Sequence, residues 1–162
     1  MKDMIIRIVT LKPMRVAYYC AFSKTPEDDA SKVMRAFGQP KGLYDNAAKH
    51  FHFGYNNPPP SMSNTPYGYE CLITIGSEVK PEGEVKIKDI PGGLYAVVRC
   101  QGPPEVNIPL TWDYLFNEWL NTNGKYELDE DNEPGLEEII NPLELSPEKW
   151  IFDLYLPIKP RE

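Results

Sequence analysis

Apolar and polar positions alternate along the first residues of the chain and predict β-structure there. Ile5–Leu11 alternates weakly, and Arg15–Cys20 is rich in β-forming residues, so we expect two short strands that flank Pro13. The spacing then changes to that of a helix, which begins at Thr25 and is stopped by Gly38. Its predicted inner face consists of Ala30, Val33, Met34 and Phe37.

The same order of elements recurs later in the sequence. The apolar pattern predicts strands at His50–Tyr55, Tyr67–Ile75, Glu84–Ile90, Leu94–Cys100, Glu137–Ile140 and Trp150–Ile158. A second helix is predicted from the helical spacing of Trp112, Leu115, Phe116, Trp119 and Leu120, with Asn123-Gly124 as its stop. Each half therefore reads strand, strand, helix, strand, strand.

Short residue matches support an internal repeat. Leu11-Lys12-Pro13 corresponds to Asp89-Ile90-Pro91, and Tyr55-Asn56-Asn57-Pro58 corresponds to Ile139-Ile140-Asn141-Pro142. We therefore predict an α+β fold, a single domain over residues 1–162 with repeat halves of about 1–80 and 81–162. The duplicated module would surround an antiparallel sheet with a pseudo-two-fold axis and a central ligand groove.

Composition and charge narrow the function. The chain has 162 residues, 17 prolines and a net charge of −7, and residues 125–162 hold 4 basic and 11 acidic side chains. Without a basic stripe, we expect no direct binding to nucleic acid. With no long apolar run and no signal-peptide pattern, we expect no membrane association and a cytoplasmic protein.

Familiar catalytic and metal motifs are missing. The sequence lacks the glycine-rich nucleotide motifs, His-Glu-x-x-His and Gly-x-Ser-x-Gly. His50 and His52 share a strand face, but no further ligand completes a metal set. The three cysteines are widely separated and form no Cys-x-x-Cys pair. We therefore predict neither a metal nor a cofactor.

Glutamates within apolar strands are the more informative chemistry. Glu70 lies in Tyr67–Ile73, and Glu137 and Glu138 fall on opposite faces of one strand, so one of these two faces inward. An inward carboxylate needs a cation, a hydrogen-bonding tyrosine or a cationic ligand, whereas one at a sheet edge would simply be solvated. Both readings remain open for Glu70 and Glu137. The aromatic residues that could surround such a carboxylate are Phe53, Tyr55, Tyr69, Tyr95 and Trp112.

Several short motifs follow one another in a fixed order along the chain. The motifs of the second half are Ile90-Pro91-Gly92-Gly93-Leu94-Tyr95-Ala96, Gly102-Pro103, Trp112-x-x-Leu115-x-x-x-Trp119-Leu120, Leu136-Glu137 with Asn141-Pro142, and Asp153-Leu154-Tyr155-Leu156-Pro157-Ile158. Those of the first half are Phe53-Gly54-Tyr55-Asn56-Asn57-Pro58 and Tyr67-Gly68-Tyr69-Glu70. In this order the motifs resemble the GyrI-like family, which is also the effector-binding domain of AraC-type and MerR-type regulators.

The resemblance implies a groove that accepts hydrophobic, often cationic, aromatic compounds. The ligand-contacting glutamate of the family falls on Glu137 by motif, but Ile139 stands where the family has tyrosine, and Tyr55 is the repeat-equivalent substitute. We expect ligand contacts from the carboxylates and aromatic residues Glu137, Trp112, Tyr55, Tyr69, Glu70, Tyr95 and Phe53.

The resemblance leaves three functions open. A binding protein for a cationic small molecule is favoured over an enzyme. The enzyme alternative is a hydrolase of cyclopropane-type genotoxins that uses Glu137 or Glu70 as its base. The third alternative is an interaction module whose partner is DNA gyrase or a regulator. Monomer and homodimer are both compatible with each of these.

Overall fold

A computed structural model describes residues 4–46 and 48–162 as an α+β fold with antiparallel strands. The strands are β1 (Arg7–Leu11), β2 (Met14–Ser23), β3 (His52–Asn56), β4 (Tyr67–Thr74), β5 (Lys86–Ile90), β6 (Gly93–Gln101), β7 (Tyr126–Leu128), β8 (Leu136–Ile139) and β9 (Ile151–Pro160). The main helices are α1 (Pro26–Gly38) and α2 (Pro104–Tyr114). None of the described helices has the length and apolar character required to cross a membrane.

The strands and helices form two compact units. The central unit comprises residues 13–91, and the terminal unit comprises residues 4–12 and 92–162 of the described chain. Each unit contains one main helix and four strands in a ladder, and the terminal unit adds β7, which pairs with β9.

In the central unit the strands lie in the order β3-β4-β2-β5. α1 packs on the face that carries Ala17 and Ile73, and Met34 and Phe37 of the helix are buried in the same core. The helix begins at Pro26, whose missing N–H is no loss in a first turn, and three acidic residues follow near its positive dipole end. Thr25 is the N-cap as predicted, although its hydroxyl contacts the Asp29 side chain and caps no backbone N–H.

In the terminal unit the order is β1-β6-β9-β8. α2 covers the face that carries Ala96 and Leu154, and the apolar side chain of Leu115, directly after the helix, is fully buried there. The helix begins at Pro104, well ahead of the apolar spacing that predicted it, and continues through a π-helical turn at Leu115–Trp119. The short strand β7 has no counterpart in the sequence prediction.

The two units share one strand order. When the central unit is read in the reverse direction, its order β5-β2-β4-β3 corresponds strand by strand to β1-β6-β9-β8 of the terminal unit. This common order supports the internal repeat, which stays a prediction. The bounds of the two units also differ from the predicted repeat halves of about 1–80 and 81–162. β1 belongs to the terminal unit because it pairs with β6, and β5 belongs to the central unit because it pairs with β2.

Candidate functional site

Glu137 and Trp112 meet on the helix-covered face of the terminal unit. Trp112 lies in α2, and its indole Nε1–H donates a hydrogen bond of 2.9 Å to Glu137 Oε2 in β8. The Phe116 ring lies 5.9 Å from the Trp112 ring, and Phe116 is exposed. A half-buried carboxylate is thus oriented by an indole, and the indole ring lies next to that of Phe116.

Gly135 allows this approach of strand and helix. Its φ is +95°, and a Cβ added there would lie 2.6 Å from the Tyr155 carbonyl oxygen and 3.4 Å from the Trp112 ring. A side chain at this position would therefore displace β8 and the carboxylate that follows it.

Glu138 lies on the opposite face of β8 from Glu137 and is the more buried of the two. It is 7% exposed and accepts a 2.6 Å hydrogen bond from the Tyr155 hydroxyl. Burial raises the pKa of Glu138, and the nearby Asp153 carboxylate raises it further, against the opposing effect of the Tyr155 hydrogen bond. Of the two glutamates in β8, Glu138 is therefore the more buried one, and Glu137 is the one that lies beside α2.

Glu70 and Tyr55 meet on the face of the central unit that α1 does not cover. They lie directly opposite in the β3–β4 register, and the Tyr55 hydroxyl donates a 2.6 Å hydrogen bond to Glu70 Oε2. Lys88 of β5 forms a 2.6 Å ion pair with the same oxygen, and its ammonium lies 4.2 Å from the centre of the Tyr18 ring. Glu70 is 4% exposed, so it is a buried carboxylate and not a solvated one at a sheet edge. Its partners are a cation and a tyrosine.

The Tyr55 phenol is held in its neutral form. Burial raises its pKa, and the hydrogen bond and charge of Glu70 raise it further. The phenol therefore acts here as a hydrogen-bond donor.

The remaining predicted residues are not gathered at either pair: Phe53 and Tyr69 lie in the central unit, and Tyr95 lies on the face of the terminal unit opposite to Glu137. Phe53 is buried on the same face as Tyr55, opposite Leu72. Tyr69 lies on the other face of β4, where its ring fills the space in which a side chain at Gly54 would sit. Tyr95 is buried, accepts a 3.2 Å hydrogen bond from the Asn132 amide, and packs edge-on against Tyr155.

Three charged residues that the sequence analysis did not single out form a cluster in the terminal unit. Asp153, 3% exposed, accepts hydrogen bonds from Arg99 Nε at 2.8 Å and Nη2 at 3.1 Å, and from Arg7 Nη2 at 2.8 Å. The sequence contained one indication of this cluster, because Asp153, like Glu70, is a carboxylate within an apolar strand.

The two histidines have structural contacts. His50 Nδ1 lies 2.8 Å from the Thr74 carbonyl oxygen, and His52 Nε2 lies 2.9 Å from the Leu43 carbonyl oxygen. Burial lowers the pKa of His52 to about 4. No set of three or more His, Cys, Asp or Glu side chains within residues 4–46 and 48–162 is arranged to hold a metal ion.

A surface depression of about 820 Å³ lies in the central unit, away from these pairs. It is lined by mixed charges that include Lys41, Lys49, Glu78 and Glu82. None of the seven predicted ligand residues lines it.

Solved structures share the fold at low sequence identity. The EcmrR C-terminal domain matches with a TM-score of 0.72 and 15% identity, covering 96% of this chain and 98% of that one. In the EcmrR–DNA complex the match spans 57% of the longer EcmrR chain. A hydrolase from Listeria innocua matches with a TM-score of 0.65 and 11% identity over 95% of this chain and 91% of that one.

A ligand-bound structure is also similar. SAV2435 bound to tetraphenylphosphonium matches with a TM-score of 0.56 and 10% identity, covering 96% of this chain and 94% of that one. Among curated proteins, none matches the sequence. The sequence does match the GyrI-like small molecule binding domain over residues 4–159, nearly its whole length, and the chain therefore belongs to that family.

Proposed function

We propose that this protein binds hydrophobic, cationic aromatic small molecules in the cytoplasm, with Glu137 as the negative charge and Trp112 as an aromatic wall. The observation that carries the proposal is the 2.9 Å hydrogen bond that fixes the Glu137 carboxylate beside the Trp112 ring. An organic cation at this position would be attracted by the carboxylate and by the faces of the aromatic rings at once.

The partners of Glu70 disfavour that glutamate for this role. Glu70 is already neutralised by Lys88 and bonded by Tyr55. A ligand cation would have to displace that ammonium, which costs the energy of a buried ion pair. Glu137 and Trp112 are the two contacts on which this proposal rests. Phe53, Tyr55 and Tyr69 belong to the central unit, and Tyr95 lies on the opposite face of the terminal unit from Glu137.

The similar structures support this ligand class without identifying the ligand. SAV2435 was solved with tetraphenylphosphonium, which is a lipophilic aromatic cation. Membership of a small-molecule-binding family agrees with the same reading.

The test is a calorimetric titration with tetraphenylphosphonium, in parallel with the neutral triphenylphosphine oxide. We expect Glu137→Gln to weaken tetraphenylphosphonium binding by about tenfold, which corresponds to roughly 1.4 kcal/mol, and to leave the neutral compound unaffected. Glu148→Gln, at an exposed position of the same unit, is the matched control. Equal affinity of wild type and Glu137→Gln would remove Glu137 from the site.

A hydrolase is the second candidate, because a Listeria innocua protein described as a hydrolase shares the fold. Glu137 would then activate a water molecule that opens an electrophilic cyclopropane ring. Ile139 supplies no phenol to act as the acid, and the hydroxyl of Tyr55 is engaged by Glu70. Mass spectrometry of a cyclopropane-bearing substrate decides the matter, since product that gains one water with wild type, but not with Glu137→Gln, supports an enzyme.

An acidic segment favours a protein partner as a further candidate. The acids between Glu127 and Glu133 belong to β7 and the turn after it, and Glu130, Asp131 and Glu133 are exposed. These acids would complement a basic surface on a partner protein, and the proposed partner is DNA gyrase or a regulator. Salt-sensitive capture of purified gyrase, lost when these acids become amides, supports this candidate; capture that survives their replacement argues against it.

A further inference from the structure

Two buried carboxylates lie side by side on the face of the terminal unit that α2 does not cover. Glu138 and Asp153 are directly opposite in the β8–β9 register, which places their side chains on one face. Both arginine contacts go to Asp153, whereas Glu138 is bonded by Tyr155. Burial and the charge of Asp153 both raise the pKa of Glu138, which favours its neutral form. The hydrogen bonds of the two guanidinium groups therefore go to one carboxylate, while their charges also act to lower the pKa of Glu138 against the effect of burial.

The central unit provides an internal comparison. By strand register, Glu70 pairs with Cys20 in the same way that Asp153 pairs with Arg99. Glu70 is nearly as buried as Asp153, and among the described residues its ion pair has one cation, Lys88. The corresponding place in the terminal unit has two cations and, in Glu138, a second buried carboxylate where the central unit has Tyr55.

The arrangement also preorganises the two arginines. Arg7 and Arg99 lie on adjacent strands, and Asp153 holds both guanidinium groups close together in spite of their like charge. Their side chains remain 48% and 55% exposed. Each guanidinium has five N–H donors, of which Asp153 takes two from Arg99 and one from Arg7.

We propose that Arg7 and Arg99 form a binding site for an oxyanion, the carboxylate or phosphate group of a small molecule. Paired guanidinium groups bind planar and tetrahedral oxyanions through parallel N–H donors. Asp153 is the positioning residue of this site, because it fixes the two arginines without contacting the ligand. The site lies on the opposite face of β8 from Glu137 and is independent of the cation site proposed above.

The test is a titration of the ¹⁵N-labelled protein, followed through the arginine Nε–Hε signals in NMR spectra. Sodium phosphate, sodium benzoate and sodium chloride are added in separate series at constant ionic strength. We expect saturable shifts of the Arg7 and Arg99 signals with phosphate or benzoate. Saturation by phosphate alone assigns a phosphate group, and saturation by benzoate assigns a carboxylate.

Variants separate a binding site from a purely structural cluster. Arg7→Gln keeps the two hydrogen bonds between Arg99 and Asp153, so the unit should fold, and oxyanion affinity should fall about tenfold. Arg161→Gln removes an exposed arginine of the same unit and should change nothing. Shifts that rise linearly, equal those with chloride, or are unaltered in Arg7→Gln overturn the proposal and leave the arginines only as partners of Asp153.

Discussion

Glu138 and Asp153 face each other across β8 and β9, and both carboxyl groups are buried. The two differ in their partners, since Asp153 is bonded by two arginines and Glu138 by a phenol. Burial first, and then the charge of Asp153, raises the pKa of Glu138 above its ordinary value of 4.5. Folding therefore favours the protonated form of this one glutamate.

The first prediction concerns the dependence of stability on pH. A raised pKa in the folded state contributes stability that is fully present below pH 4.5 and is lost as the pH rises through the folded pKa. Glu138→Gln removes this contribution, because an amide does not titrate. Urea unfolding between pH 4 and 8 should show the variant gaining stability relative to wild type as the pH rises.

The exposed Glu148→Gln variant, which also replaces a carboxyl with an amide in the same unit, is the control for that series. A difference that is constant with pH for Glu138→Gln would mean that the carboxyl of Glu138 titrates normally in the folded protein.

The second prediction concerns the indole that holds Glu137. Trp112→Phe keeps an aromatic ring but removes the N–H donor, so the carboxylate loses its fixed orientation. We expect tetraphenylphosphonium affinity to fall about fivefold, or roughly 1 kcal/mol, which is the typical net contribution of one hydrogen bond. Trp150→Phe also removes an indole N–H, which donates to the Glu144 carbonyl, and should leave the affinity unchanged. Identical losses for both variants would point to a general effect of tryptophan replacement.

The third prediction compares the two partners of Glu70. Tyr55→Phe leaves the ion pair intact and should lower the free energy of unfolding by about 1 kcal/mol. Lys88→Met removes the ammonium from a buried carboxylate and should cost about 3 kcal/mol. Adding Glu70→Gln to Lys88→Met should recover part of that loss. Denaturation curves in which Lys88→Met costs no more than Tyr55→Phe would show that the ion pair adds little.

The fourth prediction concerns His52. Its ring is buried and its Nε2 contacts the Leu43 carbonyl, which fits a neutral imidazole that donates from Nε2. Burial lowers the pKa to about 4, so stability from this group is present above pH 6.5 and is lost as the pH falls toward 4. NMR titration of the imidazole carbons should give a midpoint near 4 in the native protein. A midpoint near 6.5 would contradict the buried neutral state.

Local patterns in the sequence were sufficient for most elements of this fold. Pro26 and the spacing of Ala30, Met34 and Phe37 predicted α1, because helix starts and amphipathic faces depend on neighbouring residues alone. The strands of the central unit, but not their pairing, were predicted in the same way from alternation and β-forming residues. Helix α2 was harder to predict, because its apolar residues Val106 and Leu110 are exposed and Pro109 lies inside the helix, so the spacing of an amphipathic helix is not seen there.

Side-chain partners across strands could not be predicted, because they depend on register between distant segments. Alternation placed Glu137 and Glu138 on opposite faces, but only the position of α2 decides which one meets Trp112. Lys88 for Glu70 and Arg7 for Asp153 have the same origin, because in each pair the two residues lie on strands that are separated in the sheet by a third strand. The family resemblance pointed to Glu137 as a ligand contact, and the structure shows that Trp112 lies beside it.

The pairing of β1 with β6 has a consequence for synthesis of the chain on the ribosome. The central unit is complete in sequence once Pro91 has emerged, so its strands can pair while translation continues. β1 leaves the ribosome before the central unit, yet its partner β6 begins only at Gly93. During that interval Ile5 and Ile8, exposed even in the folded protein, belong to a nascent segment whose strand partner does not yet exist. The order of translation therefore leaves β1 unpaired until the whole central unit has been synthesised.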